Sequence, residues 1–357
     1  MFFFSLIVLL SSCGNHENDT EISVCIEETD DIQNISFFDL FSDISFIPLE
    51  NNEECMIDYS RALCVNDNGF VIFYRDYKPN IVQFDCQGRY IGKIGKIGKA
   101  KSEIQDNVLN VCTNKTGDTI ALSTFFDIKL YNNEGKHLCS TMIENGYGTS
   151  IVKTNSGFAF STQYSPNPNS IHFIDEKGET LHEMMSTDGN VIGNMGYVRQ
   201  TIRYDNNYLF YLDQFRSVLY QINADNYQIE KNINLCSNKA LSIDKFKDVD
   251  VLEKEYDGIS EFNVCKDKIN GMMTGSRYFE LDLKDYSLNI YKLKDWYPLG
   301  CTFYNGYYYY VISQNEFLSI GENKRIPNIV KNNYDEVSSY VNEKSNCVIM
   351  KLKKKLK

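Results

Sequence analysis

A short phrase returns along the chain, and its spacing constrains the fold more than any other feature. It reads Phe84-Asp85-Cys86-Gln87-Gly88, then Tyr131-Asn132-Asn133-Glu134-Gly135, then Ile174-Asp175-Glu176-Lys177-Gly178. Weaker copies follow at Ile222-Asn223-Ala224-Asp225-Asn226 and Leu281-Asp282-Leu283-Lys284-Asp285. Apolar runs flank each copy. The phrase is therefore a strand, a tight turn and a return strand, because Asp, Asn and Gly accept the left-handed backbone that such turns need. Successive copies lie 43–59 residues apart. A hairpin at that period is the signature of a β-propeller, with one blade per period.

A second turn precedes each phrase: Asn66-Asp67-Asn68-Gly69, Asn114-Lys115-Thr116-Gly117, Thr154-Asn155-Ser156-Gly157, and in weaker form Asp205-Asn206-Asn207 and Tyr304-Asn305-Gly306. The two turns divide each period into four strands, which in the first unit are 61–65, 70–74, 81–84 and 90–94. Runs such as Phe70-Val71-Ile72-Phe73-Tyr74 are apolar on both faces, as expected of a sheet covered on each side by a neighbouring blade. Units start near Arg61, Leu109, Thr149, Val198, Ile259 and Leu299, which makes six. The sixth is short: 307–312 and 316–320 read as strands, followed by 347–352. The orphan run 44–49 completes it, closing the ring with an N-terminal strand. The polar segments 241–256 and 327–341 have helical spacing and read as surface insertions. The expected fold is all-β, a six-bladed β-propeller of four-stranded antiparallel blades.

The first residues give a cellular address. Phe2–Leu10 is an apolar run interrupted only by Ser5, too short to span a bilayer but suited to a signal-peptide core. It leads into Leu10-Ser11-Ser12-Cys13-Gly14, small residues placed just before a cysteine. The division expected is a signal peptide over 1–12, a lipidated Cys13 with a polar tether over 13–35, and the propeller over 36–357.

Composition narrows the partners. The net charge of −12 is spread along the chain, which offers no basic face for a phosphate backbone and excludes nucleic acid. The single basic run, Lys351–Lys357, reads as a last strand ending in a solvated tail. The 11 cysteines include no C-x-x-C pair, and the four histidines show no zinc spacing or nucleophile-base arrangement. No cofactor, metal or catalytic residue is assigned. Cys64, Cys112 and Cys301 each lie five residues before a turn glycine and read as equivalent buried packing residues. A disulfide joining Cys55 to Cys25 or Cys64 stays open.

With this register the chain resembles the six-bladed β-propeller lipoproteins of Bacteroidetes type, with NHL- and TolB-like blades. The stretch before Cys13 resembles the lipobox of bacterial lipoproteins, and the propeller likeness begins at Phe41-Ser42-Asp43-Ile44-Ser45-Phe46-Ile47-Pro48-Leu49-Glu50. It extends to the hairpin 81–90, to Gly98 and Glu103 of an inter-blade loop, and to the closing Asn346-Cys347-Val348-Ile349-Met350-Lys351-Leu352. The resemblance implies an outer-membrane lipoprotein, periplasmic or surface-exposed, held to the membrane by its N-terminal lipid. It implies no common activity.

Function is read only as a class: a binding or scaffolding module for a glycan, peptide or partner protein. The alternative is a propeller enzyme of lactonase, lyase or hydrolase type with its site at the channel mouth. The expected ligand face carries the loops between second and third strands. Those loops hold Arg75, Asp76 and Tyr77, Phe126 with Asp127, Tyr164, Asp213, Phe215 and Arg216, and Arg277 with Tyr278.

Overall fold

The repeated phrase opens on the same side-chain cap in every copy, and its turn is one residue longer in blades four and five. Asp85 Oδ1 accepts hydrogen bonds from the N–H groups of Gln87 and Arg89 at 2.8 and 2.9 Å, and Asp175 Oδ1 repeats this with Lys177 and Glu179, both at 2.8 Å. Asn132, Asn223 and Asp282 each cap the residue two further on in the same way. The left-handed residue is Gly88, Gly135 or Gly178 in the first three blades and Tyr227 or Tyr286 in the next two. The side-chain cap stabilises a backbone that a tyrosine otherwise adopts at a cost, so the phrase survives there without its glycine.

The computed structural model describes residues 20–26, 32–105, 107–143, 148, 150–162, 169–186, 201–213, 217–237, 258–295, 298, 300–322 and 334–355. It is a six-bladed β-propeller. The first blade consists of Ser60–Asn66, Gly69–Arg75, Pro79–Asp85 and Tyr90–Lys93, hydrogen-bonded in that order. The innermost strands of the six blades are Ser60–Asn66, Val108–Thr113, Ser150–Lys153, Ile202–Asp205, Ile259–Cys265 and Thr302–Tyr304. Each touches the next, and the sixth touches the first, so the ring is closed.

Blade faces pack on blade faces. Along Gly69–Arg75, Phe70, Ile72 and Tyr74 join a cluster with Tyr309 and Ile349 of the sixth blade, while Val71 and Phe73 join Val111, Ile120, Leu122 and Tyr131 of the second. This is the two-sided burial that the unbroken apolar run predicts.

The N-terminal segment forms a belt around three blades. Strand β1 (Thr20–Ile26) lies parallel to Ile229–Ser237 on the rim of blade four, and β2 (Gln33–Ile35) lies parallel to Leu288–Leu293 on the rim of blade five. Strand β3 (Phe41–Pro48) is the outer strand of blade six, antiparallel to Val348–Lys354. Closure by the early run is as expected. Residues 20–26 and 33–35 belong to the sheets, although the polar sequence before residue 36 reads as a tether. Main-chain pairing to an open edge requires no apolar alternation.

Blade six departs from expectation at one element. Residues 316–320 are not a strand but part of helix α1 (Gln314–Glu322). A capping box sets it: Ser313 Oγ accepts from the Glu316 N–H at 3.2 Å, and Glu316 Oε2 accepts from the Ser313 N–H at 2.8 Å. Phe317 and Ile320, one turn apart, are buried, and Phe317 packs on Phe46 at 5.1 Å between ring centroids. The third strand of the blade is Val348–Lys354. Within it Lys354 is no solvated tail, because its Nζ pairs with Glu280 at 2.6 Å. Residues 334–338 are helical, as the polar segment there predicts, and 241–256 lie outside the described residues.

Gly69 and Gly157 open the second strands of blades one and three with φ of 143° and 156°. A Cβ at either would sit about 2 Å from a backbone carbonyl oxygen, that of Phe84 or Ile174. Gly69→Ala and Gly157→Ala are each expected to cost about 1–3 kcal/mol from backbone strain alone, read as a lowered denaturant midpoint at unchanged slope.

Candidate functional site

The six innermost strands run in one direction around a central channel. Their pairing register defines layers. Asn66 opposes Gly69, Asp205 opposes Tyr208, Cys265 opposes Lys268 and Tyr304 opposes Tyr307, each at the turn between first and second strands. Two residues before that point, the equivalent positions are Cys64, Cys112, Val152, Arg203, Asn263 and Thr302. Cys301 lies one residue off this layer, because the sixth blade has its glycine inside the turn and not at the start of the second strand. The equivalence expected for Cys64 and Cys112 holds, and that for Cys301 does not.

The six layer residues line a cavity of about 680 Å³ that occupies the turn-side half of the channel. Towards the mouth the wall continues through Lys153, Tyr204, Phe303 and Tyr304, then Asn114, Asn155, Asp205, Asn206 and Asn305. Hydrogen bonds between blades stitch the mouth together. The Tyr304 hydroxyl donates to Asp67 at 2.5 Å, the Asp67 N–H to the Lys115 carbonyl at 2.9 Å, Asn155 to Asn207 at 2.8 Å, and the Lys266 N–H to Asp205 at 2.7 Å. The cavity is therefore preformed, with a rim held by its own turns.

Its electrostatics centre on one residue. In the deepest layer Arg203 is the single charged side chain, among two thiols, a valine, an amide and a hydroxyl. Its Nε donates to Asn263 Oδ1 at 3.3 Å, Nη1 donates to its neighbour's carbonyl at Ile202 at 3.1 Å, and the guanidinium lies 5.4 Å from the Phe262 ring centroid. Burial holds its pKa below the usual arginine value, partly offset by the charge of Glu261. That carboxylate is itself engaged by the N–H groups of Gly300 and Cys301 at 3.1 and 2.5 Å. Lys153, nearer the rim, is paired with Glu176 at 2.5 Å. The Asp205 carboxyl is raised by burial.

The thiols are walls rather than nucleophiles. Cys64 donates to the Val111 carbonyl at 2.9 Å, and burial raises its pKa far above the ordinary thiol value; Cys112 is pushed up to about 12 by the same cause. Thiolate, the reactive form, is negligible at neutral pH. Cys55 and Cys64 both carry free thiols. Among the described residues, no three His, Cys, Asp or Glu side chains gather at metal-binding distance. His172 lies away from the channel, stacked on Phe160 at 4.7 Å and bonded to Thr162 and Glu183.

The residues singled out from sequence lie at the opposite end of the blades, beyond the far ends of the first-strand turns. Arg75, Asp76, Tyr77 and Phe126 are exposed there, with Tyr77 fully so. Asp127 is buried, accepting from Thr124 at 2.6 Å and pairing with Lys129 at 3.2 Å. Asp213 is buried, and Arg277 is buried with its Nε on the Thr274 carbonyl at 3.0 Å. Tyr278 belongs to the blade-six core cluster. Tyr164, Phe215 and Arg216 lie outside the described residues. Sequence reading missed Arg203. The available signal was a charge in an inner strand at the position where blades one and two carry cysteine.

Three comparisons with known proteins bear on this arrangement. A family model described as "Domain of unknown function (DUF4934)" matches residues 20–353. No curated protein matches the sequence. Among solved structures, a protein described as exported, from Bacteroides fragilis NCTC 9343, aligns over 94% of this chain and 100% of its own, at 14% identity and a TM-score of 0.68. The designed protein Ika8 (10% identity, TM-score 0.46, covering 74% of this chain and 70% of its own) and BamB from Moraxella catarrhalis (9%, 0.44, 75% and 69%) are more distant. The first of these shares the fold, and the other two add nothing to that. Among the described residues no helix is long and apolar enough to cross a membrane.

Proposed function

The chain belongs to the DUF4934 family, and from that premise we propose that it is an exported, lipid-anchored binding module of the cell envelope whose ligand, a glycan, peptide or partner-protein segment, enters the channel at the first-turn mouth. The observation that carries this reading is the preformed cavity of about 680 Å³, within the size range of small-molecule sites and walled by all six blades. Its wall combines aromatic faces at Tyr204, Phe303 and Tyr304 with amides at Asn114, Asn155 and Asn305. Flat apolar surface beside convergent polar groups is the composition of a recognition site. The export reading is supported by the leader and Cys13, and by the description of the structural neighbour from Bacteroides fragilis. The outer-membrane address rests on the same lipobox-like stretch, and the likeness to NHL-type propellers rests on the blade stretches 41–50, 81–90 and 346–352.

A glycan and peptide array probed with the wild-type protein tests the binding reading, followed by titration of the best hit against variants of both mouths. Tyr204→Ala or Asn155→Ala is expected to weaken binding about tenfold, while Tyr77→Ala and Phe126→Ala leave it unchanged. The reverse pattern would move the site to the second-turn face, and turnover of the hit would make the protein an enzyme. For the anchor, Cys13→Ala is expected to shift the protein from the membrane to the soluble fraction. Retention of that variant on the membrane would refute lipidation.

A further inference from the structure

Arg203 presents a physical imbalance. Arg203 is half-buried, and a cation drawn even partly out of water is ordinarily matched by a carboxylate or by several acceptors, since an uncompensated charge in a low-dielectric site is costly. Here the guanidinium has five N–H groups, and among the described residues only Nε and Nη1 are engaged, each by a neutral oxygen beyond 3.0 Å. No carboxylate lies within ion-pair distance of it among the described residues, and Glu261 is turned to the backbone of Gly300 and Cys301. The other five members of its layer are uncharged. Arg203, with Nη2 and the remainder of Nη1 left to bond, lines a solvent-connected cavity.

The geometry points to a ligand that carries a carboxylate, which Arg203 takes as a forked, two-point pair at the floor of the channel. This rests on the channel being the ligand site. A planar oxyanion is the group whose two oxygens match two parallel guanidinium N–H donors, and the match is strongest where water is scarce. The strands rise about 3.3 Å per residue, so the amide-bearing rim stands roughly 10 Å above Arg203. A ligand is therefore held by its acid end at depth and by hydroxyl or amide groups at the mouth. The remaining charges do not compete for this role. Lys153 is neutralised by Glu176, and Lys115 lies exposed at the rim.

Two sources of the carboxylate fit the same chemistry, an acidic sugar and a peptide C-terminus, and calorimetric titration separates them. The probes are glucuronate against glucose, and N-acetyl-dialanine against its C-terminal amide, each titrated into wild type, Arg203→Lys and Arg203→Met. The expected result is that one acid binds wild type while its neutral counterpart is weaker by about 30-fold or more, a gap that Arg203→Met abolishes and Arg203→Lys narrows. Thermal melts accompany the titrations. Replacing a half-buried cation that pairs with no carboxylate among the described residues by an apolar chain of similar length is expected to leave the melting temperature unchanged or raise it. A fall of several degrees would make Arg203 a structural residue and overturn the proposal. Equal binding of acid and neutral partner, or no acid binding at all, overturns it too. Should a neutral ligand bind with dependence on Tyr204 but not Arg203, the carboxylate inference fails while the channel reading stands. A ligand indifferent to both residues removes the channel reading itself.

Discussion

A chain that starts at Glu50 is expected not to accumulate as a folded protein, whereas one that starts at Thr20 folds. The shorter version lacks β3 and the turn before it, which together bury Phe37, Phe38, Leu40, Phe41, Ile44 and Phe46, all at 8% exposure or less. At about 1.5–3 kcal/mol for each large apolar side chain, these six residues contribute roughly 9–18 kcal/mol, as much as the whole net stability of an ordinary domain. Their loss also bares the edge of Val348–Lys354 and strips Phe317 of its partner Phe46. The check is soluble yield and far-ultraviolet circular dichroism of the two purified chains. A cooperative melt from the chain starting at Glu50 would show that blade six closes without its outer strand.

Asn346→Ala is expected to be the most damaging single substitution, at about 4 kcal/mol. Asn346 is 1% exposed and ties the two ends of the ring together through both polar atoms of its side chain. Its Oδ1 accepts from the N–H groups of Ile57 and Cys347 at 3.0 and 2.9 Å, and its Nδ2 donates to the carbonyls of Glu50 and Cys55, both at 3.0 Å. Alanine leaves these groups buried without partners, and each such group costs about 1–3 kcal/mol. Asn346→Asp sets a carboxylate oxygen against two carbonyls and is expected to be worse at neutral pH. The folded state raises the pKa of that new carboxyl, so its penalty is full above that raised value, shrinks as the pH falls through it, and is gone once the pH reaches the ordinary aspartate range. Urea midpoints at pH 7 and pH 4 measure both effects, and a midpoint for Asn346→Ala within 0.3 M of wild type would refute the lock.

Much of this was legible because a propeller is built from local instructions. The Asx turns declare themselves in five consecutive residues, and the two-sided apolar runs declare burial between blades. The helix at Gln314–Glu322 was readable in principle from Ser313 and Glu316, but its apolar residues Phe317, Leu318 and Ile320 fit a strand template equally well over so short a span. The lining of the channel cavity was less legible. Blades one and six have two residues in the turn, but the glycine is the paired residue in one, Gly69, and lies inside the turn in the other, Gly306, so counting five back from it reaches the layer at Cys64 and misses it by one at Cys301. The charge of Arg203 was visible in the sequence. That its neighbours around the ring are Cys64, Cys112, Val152, Asn263 and Thr302 follows only from registration across about 240 residues of chain.

The N-terminal belt also sets an order in time. Blades one to three pair strands that are neighbours in sequence, so each can form as soon as it is made. Strand β3 must wait for Val348–Lys354, about 300 residues later. At common synthesis rates that interval is roughly 15–60 s. Throughout it Phe37, Phe38, Phe41 and Phe46 have no docking surface, and long-range closure of this kind is intrinsically slow even after the chain is complete. The earliest residues to emerge are thus among the last to settle, and a holdase that shields the first fifty residues would raise the yield of folded protein more than one acting on any later segment.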